Sequence, residues 1–277
     1  MPELPEVETV RRGLLRLVKG KTIQSVDIIW PKTIEGDNEA AKLILRGRTI
    51  EDIERRGKFL LFRLSDNLTL VSHLRMEGKY YTVPVDEPLE KHVCVVFHLD
   101  EQIDLWYMDT RKFGRMQLVK TGTETELVPG IRKMGPEPTD ADLTVAYLQQ
   151  IMAKSRKIIK PFLLDQSNLA GLGNIYVDEV LWQTKIHPEQ PVDTVTLAEI
   201  TALRRNIIDE LARATEHHGT TVHSYTNAFG EAGSFQNELQ AYGRAGEPCM
   251  RCGTPLVKIK VAQRGTTYCP KCQVIHE

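Results

Sequence analysis

The sequence of 277 residues lacks any hydrophobic run long enough to cross a bilayer, which excludes a helical membrane protein. Its longest apolar runs, such as residues 59–62 (FLLF), have the length of a strand. The first eight residues carry three acids and no basic segment followed by an apolar one, so we expect no secretion signal. Internal repeats and low-complexity tracts are also missing. We therefore expect a folded cytoplasmic chain with reduced cysteines.

A strong excess of one charge is missing as well. The formal net charge is −1, so composition alone does not indicate a nucleic acid partner. The distribution is more informative, because residues 238–277 hold six Lys or Arg against three acids. Residues 154–160 hold four basic residues and no acid. Each cluster alone is more often an ordinary solvated face, so the clusters only support phosphate binding.

The hydrophobic pattern changes once along the chain. After a predicted first helix at residues 5–18, short apolar runs between residues 23 and 119 recur at about the 8–12-residue spacing that is typical of an antiparallel sandwich or barrel. From residue 141 to about 217 the period becomes helical. The predicted fold class is α+β, with an N-terminal antiparallel β-sandwich flanked by helices and a C-terminal helical domain. We place the boundaries at 1–132, 133–143 (a linker), 144–238 and 239–277.

Two Cys-x-x-Cys pairs, Cys249/Cys252 and Cys269/Cys272, enclose sixteen residues near the C-terminus. Such pairs let four thiolates converge on one ion, and the residues between them read as two short strands with a turn. A redox pair and unrelated thiols are the alternatives. Because four thiolates complete a tetrahedral shell, we expect one structural Zn²⁺ in a zinc ribbon. Cys94 lies apart among valines, and we expect it to be buried.

The opening MPELPEVETVRRG allows two interpretations. In one, Pro2 and Pro5 only lead into the first helix. In the other, removal of Met1 exposes the secondary amine of Pro2 beside the carboxylate of Glu3. An α-amine has a pKa of about 8, compared with about 10.4 for lysine, so far more of it is uncharged at neutral pH. The second interpretation predicts a covalent catalyst.

Motifs along the whole chain resemble those of bacterial formamidopyrimidine-DNA glycosylases. In order, they are MPELPEVETVRRG at the start, RRGK at 55–58, HLRMEG at 73–78, DTRKFG at 109–114, MGPEP at 134–138, GLGNIYVDE at 171–179 and QRGTTYCPKCQ at 263–273. The resemblance implies a base-excision repair enzyme that is both a DNA glycosylase and a lyase for apurinic or apyrimidinic sites. It makes segment 1–132 catalytic, segment 144–238 a helix-two-turn-helix domain with a lesion lid, and segment 239–277 a zinc finger.

The family's catalytic residues fall on Pro2, Glu3, Lys58 and Arg264. By this resemblance Pro2 forms a Schiff base with the sugar, the oxidised purine leaves, and β,δ-elimination cleaves the strand. The substrates implied are chiefly 8-oxoguanine and formamidopyrimidines in duplex DNA. Glu3 transfers protons, Lys58 assists base removal and contacts phosphate, and Arg264 holds the phosphate that leaves.

The resemblance also implies DNA-binding residues. We expect His73, Lys160 and Asn174 at backbone phosphates, and His92 as a further DNA contact. The run GLGN before IYVDEVLW independently predicts a tight turn and a helix cap at Asn174. That pattern alone indicates a cap as readily as a phosphate site.

An enzyme that acts on a base must extrude it and fill the gap. The resemblance assigns this wedge to Met76, Arg111 and Phe113, with the guanidinium bonding the orphaned base, usually cytosine. For Met76 and Phe113 an ordinary core position is the alternative. Residues 217–236 are expected to form the lid, for which a plain linker is the alternative. The expected base-pocket residues are Glu6, Thr220, Thr221 and Tyr225.

Three other functions stay open at this point. The related endonuclease VIII branch uses the same Pro-Glu chemistry on oxidised pyrimidines. A non-catalytic zinc-ribbon DNA-binding protein has the cysteines without the chemistry, and a structural metalloprotein needs no nucleic acid. The hypothesis of a glycosylase for oxidised purines is the one we prefer. It predicts damaged double-stranded DNA as the partner, no membrane contact, a monomer, and a cytoplasmic location in association with the nucleoid.

Overall fold

The computed structural model describes residues 1–100, 102–220 and 233–276. The chain divides into two compact units. The N-terminal unit contains residues 1–133 and 217–234, and the C-terminal unit contains residues 134–216 and 235–277. The four segment boundaries given by the sequence stay a prediction.

The N-terminal unit begins with helix α1, Leu4–Val18. Its apolar residues recur at helical spacing, so that Val7, Val10, Leu14 and Val18 are all buried along one face. The strands of this unit are β1 Ile23–Ile28, β2 Ile50–Arg56, β3 Phe59–Leu64, β4 Leu68–His73, β5 Lys79–Pro84, β6 Val93–Leu99, β7 Ile103–Met108 and β8 Arg115–Lys120.

Within the described residues of this unit, these strands form two four-stranded antiparallel sheets, in the orders β1-β6-β7-β5 and β2-β3-β4-β8. The main core joins the apolar side chains of α1 to inward-facing residues of both sheets, among them Leu60, Phe62, Val95 and Leu105. The antiparallel sandwich expected from the spacing of the apolar runs is confirmed.

Two elements of this unit differ from the sequence expectation. Helix α2, Asn38–Leu45, and strand β2 lie outside the apolar runs that predict strands, which are IQSVDIIW, KFLLFRL, LTLVSHL, GKYYTV, VCVVFHL, IDLWYM and RMQLV. Strand β2 buries Ile50 and Ile53, which are three residues apart because the register shifts between Ile50 and Asp52. The bulge breaks the period of two that identifies a half-buried strand. In α2 only Ala41 and Leu45 are buried, so the helix shows little apolar face.

The register brings three turns to one end of the second sheet. Phe59 of β3 pairs with His73 of β4, and His73 pairs with Arg115 of β8. The turn before β3, the loop after β4 and the loop before β8 therefore leave the same edge. We call residues 74–78 the Met76 loop and residues 109–114 the Arg111 loop. Two short helices, α3 Glu124–Leu127 and α4 Pro129–Arg132, follow β8.

The C-terminal unit consists of helices and one hairpin. Its elements are α5 Val145–Met152, α6 Ile159–Leu164, α7 Asn174–Thr184, α8 Leu197–Glu216, β9 Val257–Val261 and β10 Arg264–Tyr268. The helical periods predicted from residue 141 onward and the two short strands between the cysteine pairs are confirmed. No helix in the described part of the chain is long and apolar enough to cross a membrane.

Candidate functional site

The start of the chain is fixed to the first helix. Pro2 is buried and Glu3 is only 3% exposed, although termini commonly fray. Glu3 is the N-cap of α1 and forms a capping box with Glu6, in which each side chain accepts a hydrogen bond from the other residue's backbone N–H. The Glu3 N–H lies 2.9 Å from Glu6 Oε2. The Pro-Glu dipeptide is thus held in one place.

Glu6 also connects the chain start to a distant segment of the same unit. Its Oε1 accepts hydrogen bonds from the backbone N–H of Thr220 at 2.8 Å and from the Thr220 hydroxyl at 3.2 Å. Gly219 beside it has a φ of +74°, and a Cβ built there lies 2.6 Å from Glu6 Oε1. Glycine tolerates this positive φ, and its lack of a Cβ leaves room for the Glu6 carboxylate. Two of the expected base-pocket residues, Glu6 and Thr220, are therefore in direct contact.

The third acid of the opening segment has a different environment. Glu8 forms ion pairs with Arg11, Arg12 and Arg55, at 2.7, 2.9 and 3.3 Å. Burial acts to raise the pKa of Glu8, but the hydrogen bond and charge of Arg11, aided by the other arginines, hold it below its usual value. Glu8 is therefore a structural anion, held by three arginines.

Lys58 and His73 occupy neighbouring strand ends. Lys58 follows Gly57 in the turn between β2 and β3 and is 5% exposed. His73 ends β4, and its ring contacts that of Phe59 edge-on with centroids 4.5 Å apart. Burial, with the positive charges of Arg75 and Lys58, lowers the pKa of His73 to about 3. The imidazole is therefore neutral at physiological pH.

The tautomer of His73 follows from its backbone contact. Its Nδ1 lies 3.0 Å from the backbone N–H of Arg75, which can only donate. Nδ1 must therefore accept, and the ring proton resides on Nε2. His73 can offer one neutral hydrogen bond to a phosphate oxygen, and it contributes no charge.

The expected wedge residues lie in the Met76 loop and the Arg111 loop, which leave the same end of the second sheet. Phe113 is 48% exposed, although phenylalanine is usually buried, and the guanidinium of Arg111 lies 4.7 Å from its ring centroid. Met76 is half-buried in its loop. His92 has a φ of +77°, and its carbonyl accepts the N–H of Asp109 at 3.0 Å. The structure thus joins His92 to the base of the Arg111 loop through its backbone.

In the C-terminal unit, Lys160 differs most from the sequence expectation. We expected it at a phosphate, but it is fully buried. Its Nζ lies 2.5 Å from Asp178 Oδ1 and 3.1 Å from the carbonyl oxygen of Gly265, while Asp178 Oδ2 accepts the Thr267 N–H at 2.9 Å. Burial raises the pKa of Asp178 to about 6, against the opposing effect of Lys160. Lys160 holds the β9–β10 hairpin in place, because a buried ammonium needs such partners.

Asn174 contacts the same carbonyl. The helix cap predicted at Asn174 is wrong by one position, because the N-cap of α7 is Gly173 and Asn174 is the first helical residue. The Asn174 Nδ2 lies 3.1 Å from the oxygen of Gly265. The hairpin turn itself contains Ala262 and Gln263 at φ values of +44° and +64°. A two-residue turn of this kind favours Asn-Gly, so these residues sit in a strained turn. Arg264 follows directly and is exposed.

The four paired cysteines form one cluster. The sulfur atoms of Cys249, Cys252, Cys269 and Cys272 all lie within 4.8 Å of one another. Trp182 of α7 donates its indole N–H to Cys249 Sγ at 3.4 Å. Burial and hydrogen bonds to the neighbouring sulfur atoms raise the pKa of Cys272 to about 12. Because burial opposes ionisation of Cys272, all four cysteines would be thiolates together only around a bound cation, and the all-sulfur donor set fits Zn²⁺.

Sequence reasoning missed several residues that place these side chains. The buried carboxylate of Glu179 accepts the backbone N–H groups of Gln240, Ala241 and Tyr242 at 2.7 to 2.9 Å. Asp178 and Glu179 are consecutive acids in an otherwise apolar stretch of α7, and that pattern signals buried, partnered carboxylates. No comparable sequence pattern marks Asp109 or Trp182 as a residue that positions others. Thr221 and Tyr225, expected in the base pocket, lie outside the described residues.

Comparison with known protein families assigns all three parts of the chain. Residues 1–116 match the formamidopyrimidine-DNA glycosylase N-terminal domain, residues 134–226 the formamidopyrimidine-DNA glycosylase H2TH domain, and residues 246–274 the zinc finger found in FPG and IleRS. The chain has, in order, a sandwich with a fixed Pro-Glu start, a helical domain and a four-cysteine zinc finger. This combination defines a DNA glycosylase of the helix-two-turn-helix class.

Curated relatives and solved structures narrow the class. The chain is 61% identical to the formamidopyrimidine-DNA glycosylase of Lactiplantibacillus plantarum, with 98% of each chain covered, and 56% identical to that of Enterococcus faecalis, with 99% and 97% covered. A Lactococcus lactis Fpg structure with abasic-site DNA matches at a TM-score of 0.92 and 45% identity, covering 98% of this chain and 99% of that one. The chain belongs to the formamidopyrimidine-DNA glycosylase family, the bifunctional glycosylases and lyases of base-excision repair.

The buried ion pair gives a prediction for stability. Replacing Asp178 by Asn leaves the Lys160 ammonium buried without a carboxylate, and we expect a loss of about 3 kcal/mol in the free energy of unfolding. The double replacement Lys160→Met with Asp178→Leu removes both charges and should recover most of that loss. Urea unfolding followed by circular dichroism measures both. Equal stability of Asp178→Asn and the parent would contradict the assignment.

The cysteine cluster gives a prediction for metal content. Cys252→Ser removes one thiolate of four, so we expect the purified variant to lose its zinc, whereas the parent carries one ion per chain. Cys94→Ser is the matched control, because Cys94 is buried elsewhere, in the sandwich core. Elemental analysis of dialysed protein measures both. Full zinc in Cys252→Ser, or loss of zinc in Cys94→Ser, would contradict the ligand set.

Proposed function

We propose that this chain excises oxidised purines, chiefly 8-oxoguanine and formamidopyrimidines, from duplex DNA through Pro2 and then cleaves the strand by β,δ-elimination. The observation that carries the proposal is the buried Pro-Glu start held by the capping box between Glu3 and Glu6. Support for the substrate comes from a solved structure of a mutant of Lactococcus lactis FPG with a Fapy-dG containing DNA, which matches at a TM-score of 0.93 and 45% identity.

The chemistry requires a free amine on Pro2. Met1 is 46% exposed, and a small second residue favours removal of the initiator. The freed nitrogen attacks C1′ of the sugar, the bond from C1′ to the base breaks, and the base leaves with a proton. Opening of the sugar ring produces an iminium ion, which keeps its charge because its nitrogen carries no proton to lose. That charge makes the C2′ proton acidic, and its loss expels the 3′ phosphate in the β-elimination. Loss of the C4′ proton from the resulting unsaturated iminium then expels the 5′ phosphate in the δ-elimination.

The other catalytic residues transfer protons and stabilise negative charge on the base and the phosphates. Glu3 is adjacent to Pro2, and it protonates the ring oxygen as the sugar opens and later accepts a proton. Lys58 stabilises negative charge during base removal. Arg264, exposed on the hairpin of the C-terminal unit, binds the phosphate that leaves, and a guanidinium suits this role because it presents paired donors in a plane.

Other residues bind the DNA and the base. His73 donates a neutral hydrogen bond to a phosphate, and Asn174 binds a phosphate from the start of α7. Met76 and Phe113 fill the space left by the extruded nucleotide, and Arg111 bonds the opposite cytosine.

The base pocket includes the joined pair Glu6 and Thr220. The enzyme works as a monomer on damaged duplex DNA in the cytoplasm, in association with the nucleoid. The zinc ion, held by the four cysteines, supplies rigidity to the hairpin and no chemistry.

The nucleophile assignment predicts the effect of two substitutions. In single-turnover cleavage of a duplex with one 8-oxoguanine opposite cytosine, Pro2→Gly should lower the rate by roughly a thousandfold or more. Glu3→Gln should lower it by roughly a hundredfold or more, because a general acid is lost. Binding to an abasic-analogue duplex should stay close to that of the parent.

The control for these variants is Glu39→Gln, which changes an exposed glutamate of α2 paired with Lys42. It should cleave at the parent rate. If Pro2→Gly with a correctly processed N-terminus turned over at the parent rate, Pro2 would not be the nucleophile. If the parent cleaved oxidised pyrimidines and left 8-oxoguanine intact, the substrate assignment would be wrong.

The state of His73 predicts how binding depends on salt and pH. His73→Gln should weaken binding to an abasic-analogue duplex without changing the slope of log K against log salt, because the imidazole is neutral. Arg264→Gln should reduce the magnitude of that slope by about 1, because one charged phosphate contact is lost. The contribution of His73 should be constant between pH 5 and 8, since its pKa is about 3.

The same pKa sets a trend in stability. The folded-state pKa of His73 lies below the unfolded value of about 6.5, so the unfolded chain takes up the proton first and the contribution of this residue to stability is lost as pH falls from about 6.5 towards 3. A fluorescence anisotropy titration at several salt concentrations and pH values tests the binding part. A contribution of His73 that strengthens on acidification from pH 8 to pH 6 would show that the ring is protonated.

A further inference from the structure

The Met76 loop and the Arg111 loop are far apart in sequence but share one packing partner. Tyr107 near the end of β7 is 1% exposed, and its hydroxyl faces two glycines. A Cβ built on Gly78, the last residue of the Met76 loop, would overlap the Tyr107 hydroxyl and lie 2.6 Å from the carbonyl oxygen of Leu74. A Cβ built on Gly114, the last residue of the Arg111 loop, would overlap the same hydroxyl.

The Tyr107 ring is itself fixed in the sandwich core. Its centroid lies 5.1 Å from that of Tyr80, which it faces across the pairing of β7 with β5. The Tyr80 hydroxyl donates to Ser72 Oγ on β4 at 2.8 Å. Both sheets of the sandwich therefore determine where the Tyr107 hydroxyl lies, and the hydroxyl sets the closest approach of the two loops.

A buried carboxylate organises the Arg111 loop from within. Asp109 is 1% exposed. Its Oδ1 accepts the Arg111 N–H at 3.0 Å, and its Oδ2 accepts the N–H groups of Phe113 and Gly114 at 2.9 and 2.7 Å. A Cβ on Gly114 would also lie 3.2 Å from Asp109 Oδ2. The carboxylate thus binds the backbone of both predicted wedge residues in this loop.

The loops carry backbone strain that such contacts can sustain. Arg75 and Lys112 have φ values of +54° and +58°, which non-glycine residues rarely adopt. The Lys112 ammonium lies 4.2 Å from the ring centroid of Trp30, which fixes the far side of the Arg111 loop. Strained conformations persist only when surrounding contacts determine them.

We propose that Asp109 and Tyr107, with Gly78 and Gly114, form a positioning device that sets the two wedge loops relative to each other before DNA binds. None of these four residues needs to touch the reacting atoms. The device acts through Met76, Arg111 and Phe113, so it controls extrusion of the damaged nucleotide and recognition of the opposite base. This inference rests on the proposed function, which assigns the wedge to those three residues.

The device predicts an effect confined to substrates that must be extruded. Asp109→Asn is isosteric, but only its amide oxygen can accept. In either orientation its amide nitrogen therefore opposes a backbone donor, either the Arg111 N–H or those of Phe113 and Gly114. We expect excision of 8-oxoguanine opposite cytosine to slow by roughly tenfold or more. Cleavage of a preformed abasic site, which has no base to extrude, should stay within about twofold. The preference for cytosine over adenine opposite the lesion should fall, because Arg111 is no longer held.

A second pair of variants tests the tyrosine contact. Gly114→Ala should produce the same selective loss, because its methyl group displaces the Tyr107 hydroxyl. Tyr107→Phe removes that hydroxyl but keeps Cζ, which lies 2.7 Å from the built Cβ, so the double variant Gly114→Ala with Tyr107→Phe should recover part of the lost excision rate. Such recovery is a coupling between the two positions that general destabilisation does not produce.

The matched control is Asp86→Asn, which changes an exposed aspartate of the loop after β5. It should leave both rates and the base preference unchanged. If Asp109→Asn and Gly114→Ala lost both activities equally, or changed neither, the positioning role would be excluded. Failure of the parent to excise 8-oxoguanine would instead overturn the proposed function, so the two failures are distinguishable.

Discussion

The reciprocal hydrogen bonds between Glu3 and Glu6 fix the first residues of this chain, and the chemistry proposed for Pro2 depends on them. An unrestrained terminus samples many positions, which lowers the probability of attack on one carbon atom. Here the helix cap, the burial of Leu4 and Val7, and the contact from Glu6 to Thr220 restrict that freedom. The Glu6 carboxylate therefore joins the chain start to the segment at 217–220. A residue of the helix cap thus also contributes to the proposed base pocket.

Several buried charged residues position other parts of the chain instead of facing the substrate. Lys160 and Asp178 pair in the interior of the C-terminal unit and hold the hairpin that carries Arg264, and Glu179 binds three amides of the following segment. In the N-terminal unit, Asp109 does the same for the Arg111 loop. Buried carboxylates are costly unless they are fully bonded, and once bonded they specify one arrangement of the backbone.

The parts of the structure that follow from local pattern could be predicted, and those that depend on distant partners could not. The period of α1, the spacing of the strands and the cysteine pairs predicted a helix, a sandwich and a zinc site, because each pattern has one dominant physical solution. Strand β2 was missed because a bulge disrupts its alternation. Lys160 was expected at a phosphate from the resemblance and from its basic neighbours, because nothing local reveals that Asp178 lies beside it. The contact between Glu6 and Thr220 spans 214 positions and leaves no local signal.

The most direct test of the account is to trap the covalent intermediate and locate it. Purified protein is incubated with a duplex containing one 8-oxoguanine opposite cytosine in the presence of sodium borohydride, and the cross-linked peptide is identified by mass spectrometry. The account predicts a reduced adduct on the nitrogen of an N-terminal Pro2 from which Met1 has been removed. An adduct on a lysine such as Lys58, or no adduct from protein whose N-terminus is already Pro2, would contradict it.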